Sequence, residues 1–176
     1  LGISLAVYYF MNREEKIEKR IVLDQQIYST PKLDKTMENV VDKINLKIKE
    51  WDDNVIYPQA FVIIDLNNIK DINDSHGHEE GDTIIKKAAS TLIVNQEPNT
   101  DIIRTDGNEF LVYMVGYSEK DVISYTRKIY KELKELPYGY GAAIGYSMIM
   151  DDIKTVDDAI NEATIDMRNK KENNNG

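Results

Sequence analysis

The sequence predicts an α/β fold of the α+β kind, with helices flanking a central sheet. Three observations carry that expectation. Residues 58–66 are a near-continuous run of Ala, Phe, Val and Ile ending in Asp65-Leu66, which reads as a buried strand. Residues 101–105 and 109–115 are two strand-like runs separated by Asp106-Gly107-Asn108. Asp-Gly is a strong hairpin signal, because a type I′ turn needs positive φ at both central residues. Other stretches repeat apolar residues at helical spacing.

The elements follow in order. Residues 12–30 are a charged connecting stretch ending at Ser29-Thr30-Pro31. The residue before a proline avoids helix, and the proline itself can open the next one. Over residues 33–51, Met37, Val40, Val41, Ile44, Ile48 and Trp51 recur at helical spacing. The strand at 58–66 comes next, then a short helical turn at 67–74. Residues 79–94 repeat Ile84, Ile85, Ala88, Ala89, Leu92 and Ile93 as a helix does. A loop at 95–100 holds Pro98. The hairpin follows, then a helix over 118–136 built on Val122, Ile129 and Leu133, a strand at 141–149, and a final helix over 155–171. The 11 tyrosines fall mostly at apolar positions and are expected in the core. Residues 172–176 are expected to be disordered on composition.

Composition narrows the function classes. The chain has 176 residues, 41% apolar and 30% charged, enough for one packed domain with a short attachment. It has no cysteine, so neither disulfides nor a thiolate metal site. A net charge of −9 argues against nucleic acid as a partner, since phosphate backbones reward basic surfaces.

Residues 1–11 are apolar and the charged Asn12-Arg13-Glu14-Glu15-Lys16 follows at once. The segment is too short to span a bilayer, which takes roughly 20 residues. We read it as the end of a transmembrane helix entering the cytoplasm, with basic residues just inside, or as a helix packed on the domain. The opening Leu1, rather than Met, leads us to expect a piece of a longer protein. The organisation expected is therefore 1–11 as that helix end, 12–32 as a connecting helix, 33–171 as the domain and 172–176 as the tail.

The most informative stretch runs Asp65-Leu66-Asn67-Asn68-Ile69-Lys70-Asp71-Ile72-Asn73-Asp74-Ser75-His76-Gly77-His78-Glu79-Glu80-Gly81-Asp82, followed later by Arg104-Thr105-Asp106-Gly107-Asn108-Glu109-Phe110. It resembles the GGDEF family, the diguanylate cyclases. There a D-x-D/N-x-F-K-x-I-N-D-x-x-G-H-x-x-G-D run precedes an R-x-G-G-D-E-F hairpin. The family's A-D-x-x-M-Y-x-x-K ending is matched by Ala163, Met167 and Lys171, with Thr164 and Arg168 departing from it. Each of these residues alone is ordinary; together, at family spacing, they are hard to obtain by chance.

The resemblance implies a palm-like nucleotidyl cyclase fold with a mostly antiparallel sheet. It also implies a reaction in which two GTP molecules become cyclic di-GMP with Mg²⁺ or Mn²⁺. Asp65, the Leu66 carbonyl and Glu109 match the metal-ligand positions, hard oxygen donors of the kind such cations need. Asn73 and Asp82 match positions that bind the guanine edge, and Lys70 and Lys171 match basic positions near the triphosphate. Gly77 and Gly81 are expected to serve backbone turns. Partners implied are GTP or another guanine nucleotide, and a second GGDEF domain in a homodimer or heterodimer.

The signature itself departs from the family. Asp106 stands at the first glycine, adding a side chain and a negative charge where the hairpin meets phosphates. Gly107 and Phe110 are kept. Asn108 stands at the acidic third position; it is neutral, cannot accept a proton, and would weaken metal binding. Losing a general base alone costs roughly 10²–10⁴-fold in rate. The window for the family's R-x-x-D product-inhibition motif reads Glu97-Pro98-Asn99-Thr100, without the basic residue. The expectation is a degenerate GGDEF domain, inactive as a cyclase. It would act as a regulatory, interaction or guanine-nucleotide-binding module at the cytoplasmic face of a membrane. The alternatives are a weak cyclase using Asp65 and Glu109, and a pure dimerisation scaffold.

Overall fold

The structure, a computed structural model, describes residues 6–9, 37–50 and 55–174. The elements are β1 (Ala6–Tyr9), α1 (Met37–Glu50), β2 (Gln59–Leu66), α2 (Ile69–His76), α3 (His78–Val94), β3 (Thr100–Asp106), β4 (Glu109–Val115), α4 (Glu119–Lys134), β5 (Ala142–Ile149) and α5 (Val156–Asn174). The sheet order is β1-β3-β4-β2-β5. Every pairing is antiparallel. The α+β class and the mostly antiparallel sheet are as expected.

β2 is central and buried on both faces, which explains its unbroken apolar run. Ala60, Val62 and Ile64 point to one side, into a core shared with Ile72 of α2, Leu92 of α3 and Ile129 of α4. Phe61 and Ile63 point to the other, against Val40 and Ile44 of α1 and Ile160 and Met167 of α5. A one-residue slip would exchange these two sets, so the register is strongly specified. β2 is thereby held so that Asp65 faces Glu109 of β4 on one side and Ala143 of β5 on the other.

Two features fix α5 against the sheet. Gly145 of β5 lies under the helix: a Cβ there would stand 2.1 Å from the Met167 amide nitrogen and 2.4 Å from the Ala163 carbonyl oxygen. Asp166 Oδ2 accepts a hydrogen bond from the Tyr146 backbone N–H at 3.0 Å. Lys154 Nζ donates to the Met148 carbonyl at 3.0 Å. Side chains thus cap backbone groups of β5, which among the described residues pairs only with β2.

α1 is anchored by a buried ion pair between Lys47 and Asp101 of β3. Beside it Tyr113 Oη donates to Gln59 Oε1 at 2.7 Å, and Lys47 Nζ lies 5.7 Å from the Tyr113 ring centroid. Burial raises the Asp101 carboxyl to about 6, against the opposing pull of the Lys47 charge.

Several expectations are corrected. Ala6–Tyr9 is a strand paired with β3, not part of a helix. Its Ala-Val-Tyr-Tyr sequence suits a pleated edge, and β3 offers a free edge to pair with. The rest of 1–11, and the connecting helix at 12–32, lie outside the described residues. α5 runs through Glu172 to Asn174, so the expected tail is helical there; nothing in Glu172-Asn173-Asn174 breaks the helix ladder. Tyr113 and Tyr125 are buried, but Tyr57, Tyr130, Tyr138 and Tyr140 are exposed, because they sit on strand ends, loops and the outer helix face.

Candidate functional site

The site forms where β2 and the β3–β4 hairpin end side by side. Asp65 and Glu109 are cross-strand partners. The two-residue loop Gly107-Asn108 joins β3 to β4, with a register shift between Arg104 and Asp106. Neither Gly107 nor Asn108 has positive φ, so the turn is not type I′. Arg104 braces the turn. Its Nε donates to the Asp106 carbonyl at 3.3 Å and the Gly107 carbonyl at 3.1 Å, and its Nη2 to Gly107 O at 2.6 Å. The guanidinium draws both carbonyls to one side, and the bulge at Thr105 supplies the extra twist.

Each of the three expected metal-ligand groups has one oxygen that accepts a hydrogen bond from the chain itself. Lys171 Nζ of α5 reaches Asp65 Oδ2 at 2.7 Å. Asn108 Nδ2 donates to the Leu66 carbonyl at 3.3 Å, while the Leu66 N–H donates to the Asn108 carbonyl at 3.0 Å. Thr105 Oγ1 donates to Glu109 Oε2 at 2.6 Å. The Asp106 carboxylate accepts from the Gly107 N–H at 2.6 Å. Among the described residues no group of three or more His, Cys, Asp or Glu side chains is arranged to hold a metal ion.

Burial is the main force raising the Glu109 carboxyl. The Thr105 hydrogen bond opposes it, the charges of Asp65 and Asp106 add to it, and that of Arg168 opposes it. Burial lowers Arg104, countered by Asp82 and Asp106. Arg104 therefore sits in the fields of both the hairpin and α3.

The second half of the site is the α2–α3 corner. Asn68 takes a left-handed conformation at φ 59° and opens α2, with its Nδ2 on Asp71 Oδ2 at 2.7 Å. Gly77, at φ 94°, turns the chain into α3, as expected. Gly81 does not serve a turn; it lies within α3. A Cβ there would stand 1.7 Å from Asn73 Oδ1. Its role is steric: it leaves the Asn73 side chain its space. Asn73 Oδ1 is buried against Gly81 and has no hydrogen-bond partner among the described residues. Asp82 and Lys70 are exposed. His76 stacks near Tyr138, with ring centroids 5.0 Å apart.

The structure thus brings Asp65, Leu66, Asn108, Glu109 and Lys171 together, and sets Asn73 beside Gly81-Asp82. Phe110 is fully buried beneath the hairpin. Thr105 was not singled out from sequence; Arg104 stands at the arginine of the R-x-G-G-D-E-F pattern, but its contacts to the turn were not foreseen.

The match to known proteins decides the family. The family model described as "Diguanylate cyclase, GGDEF domain" fits residues 38–176. The chain belongs to the GGDEF family. The GGDEF domain is 31% identical over 72 residues to diguanylate cyclase DosC of Escherichia coli strain K12, covering 41% of this chain and 16% of that protein. It is 28% identical over 128 residues to an uncharacterized membrane protein of Staphylococcus aureus strain USA300, covering 63% of this chain and 36% of that one. The chain therefore spans well under two thirds of these relatives. Its fold is similar to that of diguanylate cyclase SiaD of Pseudomonas aeruginosa, solved with its activator SiaC, at TM-score 0.67 and 14% identity over 92% of this chain and 66% of that one.

Proposed function

We propose that this GGDEF domain does not make cyclic di-GMP and acts as a regulatory module of cyclic di-GMP signalling that binds a guanine nucleotide or a protein partner. One observation carries this reading: Asp65, the Leu66 carbonyl and Glu109 are each engaged by Lys171, Asn108 and Thr105. An aspartate at position 108 would be an acceptor turned toward cations, whereas Asn108 is a neutral side chain donating to the carbonyl meant to face them. These residues do not fit a pair of divalent cations, and we assign no catalytic step through them. Arg168, in electrostatic reach of Glu109, adds positive charge where a cation would have to sit.

Nucleotide binding is supported by Asn73 and the exposed Asp82, which both adjoin Gly81 at the α2–α3 corner. A partner role is supported by the SiaD relative, which was solved with an activator protein. Placement at a membrane is supported by the description of the Staphylococcus relative as a membrane protein. Ala6–Tyr9, being paired into the sheet, would not itself be the anchor.

The test is chromatography after incubation with GTP and Mn²⁺, and no cyclic di-GMP is expected. Product that disappears in Asp65→Ala and Glu109→Ala would overturn the proposal in favour of a weak cyclase.

A further inference from the structure

The connection from α4 to β5 contains Pro137-Tyr138-Gly139-Tyr140-Gly141. Tyr138, Gly139 and Gly141 all hold positive φ, at 74°, 65° and 65°. That conformation is costly for a ring-bearing residue, so the contacts around Tyr138 must hold it there. Its ring centroid lies 5.0 Å from that of His76 at the end of α2, and its hydroxyl is hydrogen-bonded to Glu80 of α3. The carbonyls of the loop are fixed as well. Gly139 O accepts from Lys134 Nζ at 3.2 Å, Tyr140 O from Asn67 Nδ2 at 3.1 Å, and Gly141 O from the Asn67 N–H at 2.9 Å. On this pinned backbone both tyrosine side chains are 41% exposed. Exposed tyrosines on a backbone that is already ordered offer large contact area at little ordering cost, as binding surfaces do.

The tyrosines mark the surface, and charge selects what it takes. The segments that carry it, residues 67–82 and 134–141, hold six Asp and Glu side chains against two lysines and no arginine. One of those lysines, Lys134, is bonded to the loop itself. Like charge disfavours a phosphate-bearing partner here, and it disfavours a second copy of this chain, whose net charge is −9. An arginine-bearing segment answers both features: its guanidinium stacks on a tyrosine face and pairs with carboxylates.

We propose that the Tyr138–Tyr140 loop, together with His76, is a docking surface for an arginine-bearing segment of a partner protein. This rests on the protein-partner part of the function proposed above. The partner's arginines lie over Tyr138 and Tyr140, with the carboxylates of the α2–α3 corner around them.

Fluorescence anisotropy on the full chain tests it, with labelled hexa-arginine as the probe in about 0.15 M salt, where exposed charges are largely screened. Hexa-arginine is expected to bind more tightly than hexalysine, whose ammonium groups do not stack flat. Tyr140→Ala and Tyr138→Gly should each weaken hexa-arginine about threefold, and the pair about tenfold. Glycine suits the φ of Tyr138, so that variant keeps the loop, and circular dichroism checks the fold of Tyr140→Ala. Asp157→Asn with Asp158→Asn, which removes two charges from the first turn of α5, should leave binding unchanged. No binding at millimolar peptide, binding untouched by the tyrosine substitutions, or an equal loss in the α5 variant would each overturn the proposal. Sedimentation showing a dimer that Tyr140→Ala dissociates would also overturn it, by giving this face to a second copy. The assay contains no GTP, so it fails or succeeds separately from the non-catalytic reading, which cyclic di-GMP formation would sink.

Discussion

Lys171 Nζ lies 2.7 Å from Asp65 Oδ2, joining the last helix to the end of the central strand. This contact turns the carboxylate at the heart of the family's metal site into half of an internal ion pair. Asn108, bonded to the Leu66 carbonyl, closes the adjoining position. The two contacts therefore act together, and breaking one should not suffice. Lys171→Met combined with Asn108→Asp is expected to bind Mn²⁺ at least about tenfold more tightly than the parent, read by electron paramagnetic resonance. Equal binding by the parent would show that the internal donors do not compete with metal.

Asn108→Asp alone removes the donor to Leu66 and sets a third carboxylate beside Asp65 and Glu109. A loss of about 1–2 kcal/mol in urea stability is expected without metal, from one lost hydrogen bond and added like charge. Mg²⁺ should recover part of it. An unchanged midpoint would mean the Asn108 amide contributes nothing to the closed hairpin.

Gly81 and Gly145 are both tight, but for different reasons. At Gly81 the obstacle is the Asn73 side chain, which can rotate away. Alanine there also gains about 1 kcal/mol of helix propensity. Gly81→Ala should therefore shift stability by no more than about 1 kcal/mol. At Gly145 the obstacle is the backbone of α5 at 2.1 and 2.4 Å. Gly145→Ala should cost about 3 kcal/mol, since the helix itself must move. Equal losses in thermal or urea unfolding would refute the distinction.

The Asp101–Lys47 pair predicts a pH dependence of stability. Asp101 titrates at about 6 in the folded protein, against about 3.9 unfolded. The folded state thus holds the extra proton between these values, and stability falls as pH rises through that window. The fall is complete once the pH has passed the folded value. Asp101→Asn should flatten the fall between pH 4 and 6.5 in urea titrations. A slope unchanged by that substitution would place the titrating group elsewhere.

What could be read from sequence follows from distance along the chain. β2, α3, α4 and the hairpin strands were legible because their burial is written in local periodicity. The family block from Asp65 to Asp82 was legible because its spacing is local too. The turn type was not, because Arg104 reaches over the bulge to the carbonyls of Asp106 and Gly107. Nor was the fate of Leu66, whose partner Asn108 belongs to another strand. Gly81 reads as a turn residue until Asn73 is seen packed against it. Ala6–Tyr9 reads as helix until β3 offers it an edge.

The capping of β5 has a consequence for assembly. An antiparallel sheet grows by lending unpaired amides and carbonyls to a neighbour. Here Asp166 holds the Tyr146 amide and Lys154 the Met148 carbonyl, so a second copy arriving strand-first would have to break these contacts before gaining any ladder. On this flank the molecule is insulated against runaway polymerisation, and any pairing with another domain there must come through its helices.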